Sequence, residues 1–197
     1  MIIGIPDHLH FILASRSPRR QQLLKELGLK FDVVIKDYIE DYPVSLSGAG
    51  IAEYLAHNKA LHFKGIISDN DIVITADTIV WCDNRVLDKP SGFKEAFDIL
   101  STISGKTHDV ITGVNFLSNF GEHTFSETTR VTFDHLSDEE IKYYIQEFKP
   151  FDKAGAYGIQ EWIGLVGIRS IEGSYFNVMG LPVQKLYTEL KRYIKNL

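Results

Sequence analysis

Two arginines occupy a place where helices favour acids. In "ASRSPRRQQLLKELG", residues 14–28, Ser17 reads as an N-cap and Pro18 as the first helical residue. Arg19 and Arg20 then fill the first turn, where the helix dipole is positive. Unpaired N–H groups at such a start, reinforced by two forked guanidiniums, suit phosphate oxygens. The alternative is that both arginines face solvent or pair with a surface carboxylate. Lys59 raises the same question. On a helical wheel of "IAEYLAHNKALHF" it falls within the apolar stripe of Ile51, Ala52, Leu55, Ala56 and Phe63. It must either snorkel past the core or meet an anion. Asp77 interrupts the apolar run "IVITADTIVW". A carboxylate there is costly unless it caps backbone at a strand end, acts as a base or holds a metal. Lys89, before Pro90, adds a cation at a strand end, and Glu40 in "DYIED" offers an oxygen ligand or merely a solvated loop.

The elements that must position these residues alternate between short apolar runs and helical patterns, which predicts an α/β fold. Strands are expected at Phe11–Ala14, in "FDVVIKDY", in "DIVITADTIVW" and in "RVLDKP", the last two joined by a turn at Asp83-Asn84. Two further strands are expected in "THDVITGVNFL" and "HTFSETTRVTFDHL". Helices follow Ser17, span Ile51–Phe63, start at an N-cap Ser91 and end near Ile103. Another opens on the capping box Ser137–Glu140 and stops near Pro150, and a last one covers Pro182–Ile194. "DKAGAYGIQ" is a glycine-punctuated loop, and residues 162–178 read as a final β region. No repeat or linker divides the chain, so residues 1–197 are expected to form a single domain with two lobes around a cleft.

Composition narrows the chemistry. The 197 residues are 44% hydrophobic with a formal net charge of −5, enough for a sizeable core but unsuited to nucleic-acid binding by overall charge. One cysteine, Cys82, excludes an internal disulfide framework. The N-terminal stretch lacks a leader's basic and apolar regions, and no run approaches a membrane span, so a cytoplasmic protein is expected. "SGKT", residues 104–107, resembles the end of a phosphate-binding loop. It follows a helix and leads into a strand, the reverse of what that motif needs.

Six segments together resemble the Maf proteins, nucleotide pyrophosphatases also described as septum-formation inhibitors. They are "LASRSPRRQQLLKELG", "ADTIV", "LDKP", "LSTISGKTHDVITGV", "DKAGAYGIQ" and "GLP", in that family's order. The resemblance implies an elongated mixed-sheet α/β fold similar to the inosine-triphosphate pyrophosphatases, with a deep cleft between two lobes. It implies hydrolysis of a nucleoside triphosphate to its monophosphate and pyrophosphate, with magnesium or manganese as cofactor, and a homodimer. Carried over by position, Ser15, Arg19, Arg20, Lys59 and Lys89 contact polyphosphate. Asp77 is the proton acceptor, and Asp77 with Glu40 holds metal, Asp41 being the alternative to Glu40. Arg19, Thr78 and Gln160 match positions that mark the dTTP/UTP branch. Glu161-Trp162 departs from the glycine expected after Gln160. Two other functions fit parts of the pattern. One is a non-catalytic division regulator binding proteins, in which Asp77 is structural. The other is a purine-directed pyrophosphatase, which differs at the base contacted by Gln160.

Overall fold

A computed structural model describes residues 5–38 and 40–197. Residues 1–4, part of the N-terminal stretch read above, and Ile39 lie outside the described residues. The strands are β1 (His10–Leu13), β2 (Asp32–Val33), β3 (Asp71–Cys82), β4 (Arg85–Leu87), β5 (Thr107–Ser118), β6 (Gly121–Phe133) and β7 (Ile168–Glu172). They form one mixed sheet in the order β2-β1-β3-β5-β6-β7, with β4 pairing with β3. Strand β1 runs parallel to both β2 and β3, whereas β3–β4 and β6–β7 are antiparallel. The helices are α1 (Pro18–Glu26), α2 (Ala49–Leu61), α3 (Phe93–Ile103), α4 (Asp138–Phe148), α5 (Trp162–Gly167), α6 (Tyr175–Met179) and α7 (Val183–Lys195).

The backbone separates into two compact units. The first comprises Met1–Asp77, Thr112–Glu127 and Gly180–Leu197, and the second Thr78–Ile111 and Thr128–Met179. In the first, β1, the start of β3 and α2 bury Ile12, Val73, Ala60 and Phe63 together. Two close approaches fix α2. A Cβ on Gly113 of β5 would lie 2.1 Å from the Ala52 carbonyl oxygen, so only glycine fits there. One turn on, the Thr75 hydroxyl of β3 donates to the Ala56 carbonyl at 2.6 Å. In the second unit, α3 and α4 pack Leu100, Ile103, Ile141 and Tyr144 against Val80, Val110 and Phe133.

Local signals decide most boundaries. Ser17 caps α1, Ser137 and Glu140 form the expected capping box of α4, and Lys149 ends α4 in a left-handed conformation just before Pro150. Asp83 and Asn84 both have positive φ, as a tight hairpin turn requires. Three expectations need correction. "FDVVIKDY" supplies only the two-residue β2, because Val33, Val34 and Ile35 are exposed and have no buried face to extend. Ser91 is not the cap of α3. That place belongs to Gly92, while the Ser91 N–H and hydroxyl both donate to the Glu95 carboxylate. Residues 162–178 are mostly helical, with β7 between α5 and α6. Short apolar runs such as "WIGLVGI" do not distinguish a helical turn from a strand by periodicity.

Candidate active site

Helix α2 delivers Lys59 to the carboxylate of Asp77. The lysine is 5% exposed and the aspartate 8%, and Nζ stands 2.9 Å from Asp77 Oδ1. The same ammonium lies 3.4 Å from Glu40 Oε1 and 4.7 Å from the centre of the Tyr38 ring. Burial lowers the Lys59 pKa, Asp77 opposes that shift, and the Arg20 guanidinium adds to it. The wheel position that forbade a free charge is thus resolved by a carboxylate on the neighbouring strand. Tyr38, unremarkable in the sequence, donates its hydroxyl to Glu40 Oε1 at 2.7 Å, so one residue presents a ring face to Lys59 and a hydrogen bond to Glu40. Burial and the Glu40 carboxylate push the Tyr38 pKa upward, which keeps the phenol a donor.

The start of α1 answers its own anomaly in part. Arg20 donates through Nε to the Gly180 carbonyl and through Nη1 to the Ala76 carbonyl, each at 2.8 Å. Ser15 Oγ lies 3.5 Å from the same Nη1 and accepts the Ser17 N–H. Burial lowers the Arg20 pKa and Asp77, one residue beyond Ala76, offsets it. A cation at the positive end of α1 is therefore compensated by carbonyls from β3 and from the "GLP" turn, a solution that sequence spacing does not reveal. Arg19 beside it is half-buried.

Of the residues singled out in sequence, Ser15 and Arg20 form one pair and Glu40, Lys59 and Asp77 a second group within the first unit, Arg20 reaching toward the latter through the Ala76 carbonyl next to Asp77. Thr78, half-buried on β3, and the exposed Lys89 and Gln160 belong to the second unit. Among the described residues no cluster of three or more His, Cys, Asp or Glu side chains forms a metal cage. What the first unit offers instead is two carboxylates converging on one cationic point. It can orient a phosphate chain, hold a cation and accept a proton.

The second unit holds a buried polar group that sequence reasoning missed. Lys153, 8% exposed, pairs with Glu161 Oε1 at 3.1 Å and Asp152 Oδ1 at 2.8 Å. Nothing in a loop without periodicity marks its lysine as buried. His108 places Nε2 2.8 Å from the Tyr157 hydroxyl, and burial lowers its pKa to about 4, so the ring is neutral.

A profile of the Maf-like proteins matches residues 10–193. The chain is 48% identical over 192 residues to a dTTP/UTP pyrophosphatase of Bacteroides thetaiotaomicron, covering 97% of this chain and 100% of that protein. It is 54% identical over 182 residues to a dTTP/UTP pyrophosphatase of Phocaeicola vulgatus, covering 92% and 94% respectively. Among solved structures, the Staphylococcus aureus Ham1 protein aligns over 93% of this chain and 99% of that chain, with 12% identity and a TM-score of 0.47. No helix among the described residues is long and apolar enough to cross a membrane. With a family profile spanning nearly its whole length, this chain belongs to the Maf-like proteins.

Proposed function

We propose that this chain hydrolyses dTTP and UTP to the monophosphate and pyrophosphate, with residues 1–197 acting as one domain. The observation that carries the reading is the buried Lys59–Asp77 pair beside Arg20 at the start of α1. The names of the two relatives support the substrates. Asp77 takes the proton of the water that attacks the α-phosphorus, and Lys59 orients that carboxylate and meets the charge growing on the departing pyrophosphate. Arg19, Arg20, Lys89 and the Ser15 hydroxyl bind the phosphate chain. Arg20, held by two carbonyls, is set in direction before substrate arrives.

A divalent cation, magnesium or manganese, fits the donor set. Asp77 and Glu40 are hard carboxylate donors gathered around one ammonium. Those two residues would hold it, and when bound it neutralises charge on phosphate oxygens. Thr78 and Gln160 read the base. Uracil and thymine present an O4 acceptor beside an N3–H donor, which one glutamine amide can meet together, whereas cytosine presents the reverse. A homodimer, on the strength of the resemblance, and the cytoplasmic setting expected from the sequence complete the proposal.

The test is product analysis with dTTP, UTP, CTP, ATP, GTP and ITP at equal subsaturating concentration, with and without chelator. We expect pyrophosphate from dTTP and UTP, at least tenfold slower reaction with the others, and none in chelator. A diphosphate product overturns the reaction, and a preference for GTP or ITP overturns the base assignment.

A further inference from the structure

Glu161 ends the loop that carries Gln160, and its carboxylate is not used as its position suggests. It is the N-cap of α5, yet its side chain makes no capping bond. An acidic N-cap ordinarily accepts from the first N–H groups of its own helix. Here the carboxylate turns back. Oε1 pairs with the buried ammonium of Lys153 at the other end of the loop, at 3.1 Å. Oε2 accepts from the hydroxyl of Tyr144, a side chain of α4 that is wholly buried. The same hydroxyl oxygen accepts the N–H of Gly158 at 3.0 Å. Gly158 makes room for this closure, since a Cβ there would meet the Glu161 carboxylate carbon at 2.8 Å. Further back, Tyr157 is tied through its hydroxyl to His108. The loop is thereby fixed on both sides of its exposed residue, with Ile159 buried before Gln160 and Glu161 clamped after it.

We propose that Glu161 is a positioning residue for base selection: by locking Lys153 and Tyr144 together it fixes where the Gln160 amide points, without touching the nucleotide itself. The proposal rests on the reading of Gln160 as the residue that meets the base. A glutamine amide is ambiguous by nature, because rotating it by half a turn exchanges donor and acceptor. A fixed backbone does not stop that rotation, so preference for uracil and thymine over cytosine requires that loop backbone groups meet the base edge beside the amide and favour one arrangement. The Lys153–Glu161–Tyr144–Gly158 chain holds that backbone in place on the side following Gln160. When the clamp is cut, the backbone around Gln160 shifts, its fixed contact beside the amide is lost, and the flipped amide accepts cytosine.

The test uses the full chain and two variants. Tyr144→Phe keeps the buried ring and removes the hydroxyl, and Glu161→Gln keeps the shape and removes the charge. Each is checked by circular dichroism for retained fold. For each, kcat and KM are measured for dTTP and CTP, and amide hydrogen exchange is followed at Gly158 in the nucleotide-free protein. We expect the dTTP-to-CTP ratio of kcat/KM to fall roughly tenfold, the cost of one misdirected polar contact. The change should come mainly from a higher KM for dTTP, with faster exchange at Gly158. A folded variant with faster exchange but an unchanged ratio overturns the proposal, as does one whose exchange is unaltered. A parallel loss of kcat for both nucleotides also overturns it, because it indicates a general structural role. The parent chain separates the two readings. If it cleaves GTP or no nucleotide, the proposed function fails by itself, and base selection by Glu161 fails with it even where exchange reveals the clamp.

Discussion

Among the described residues two lysines are buried against carboxylates, and their settings differ. Lys59 leaves a regular helix and meets Asp77 in a regular strand, at 2.9 Å. Lys153 and Glu161 close a loop at 3.1 Å, through a neutral tyrosine hydroxyl and a backbone N–H. Both pairs lose hydration on burial and recover it only through good geometry. Around Lys59 stand further groups that could serve a ligand, namely Glu40, the Tyr38 ring and Arg20. Around Lys153 the partners are spent on the loop itself. A buried ion pair is therefore not a functional signature by itself. The first pair is held by a framework that exists without it, the second is the framework of its own loop.

The sharpest way to break this contrast is Asp77→Asn. The amide keeps the shape and can still accept from Lys59, so the fold should persist, as read by circular dichroism and urea unfolding. Pyrophosphate release should fall by about 10²–10⁴-fold, the usual worth of a general base. Undiminished turnover in the folded variant returns Asp77 to a structural role and removes the distinction between the pairs.

The same contrast governs what could be read before the structure. Lys59 and Asp77 were visible because each violates a periodic pattern: a cation within a helical stripe, an acid within a strand run. The helix starts and hairpin turn were legible for a similar reason, since capping serines, Pro18 and Asp83-Asn84 act locally. Lys153 and Tyr144 interrupt no pattern, and Glu161 stands out only as a departure from the glycine expected after Gln160. Their association depends on how the loop folds back on α4, which is tertiary information. Residues 162–178 depart from the expected β region because a short apolar run such as "WIGLVGI" suits a helical turn or a strand equally. Arg20 was half legible: its misfit at the helix start was apparent, its carbonyl partners on Ala76 and Gly180 were not.

A pair of glycine substitutions sharpens the comparison at the level of stability. At Gly113 an added Cβ would lie 2.1 and 2.3 Å from the carbonyl oxygen and carbon of Ala52. Neither backbone can yield without moving α2 and Lys59 with it, so Gly113→Ala should destabilise by about 3 kcal/mol. At Gly155, in the loop of Lys153, φ is +68° and the added Cβ would meet Val80 Cγ2 at 2.7 Å. That neighbour is the side chain of buried Val80 rather than backbone, so Gly155→Ala should cost about 1–2 kcal/mol for the left-handed conformation plus up to about 1 kcal/mol for shifting that valine, still less than the backbone clash at Gly113. Urea midpoints of the two variants decide the order. A Gly155→Ala cost equal to that of Gly113→Ala shows that the loop is as rigidly framed as the α2 site, against the distinction drawn above.

The smallest expected effect comes from a partly exposed triad that serves as the control. His10, at the start of β1, places Nδ1 2.8 Å from Asp71 of β3 and Nε2 2.8 Å from Asp32 of β2. Both partners are acceptors, so the imidazolium, with two N–H donors, is the form that satisfies them. The hydrogen bond to Asp71, then that to Asp32, raises the His10 pKa above 6.5. Asp71 is lowered below 3.8, because the Ser68 N–H and His10 outweigh the effect of its burial. The signs follow from linkage. The histidine's contribution is fully present below its unfolded value of 6.5 and is lost as pH rises through the raised folded value. The aspartate's is present above its unfolded value and is lost as pH falls through the lowered folded one. The triad should thus stabilise most between about pH 4 and 6.5. Since the His10 side chain is 48% exposed, solvent holds the gain below about 1 kcal/mol. Urea unfolding of the parent chain and His10→Gln at pH 5.5 and 8.5 measures it. The variant should be the weaker at pH 5.5 and nearly equal to the parent at pH 8.5. An equal loss at both pH values shows that His10 works by shape and neutral hydrogen bonding. A loss as large as that of Gly113→Ala shows that burial is not what separates strong polar contacts from weak ones in this chain.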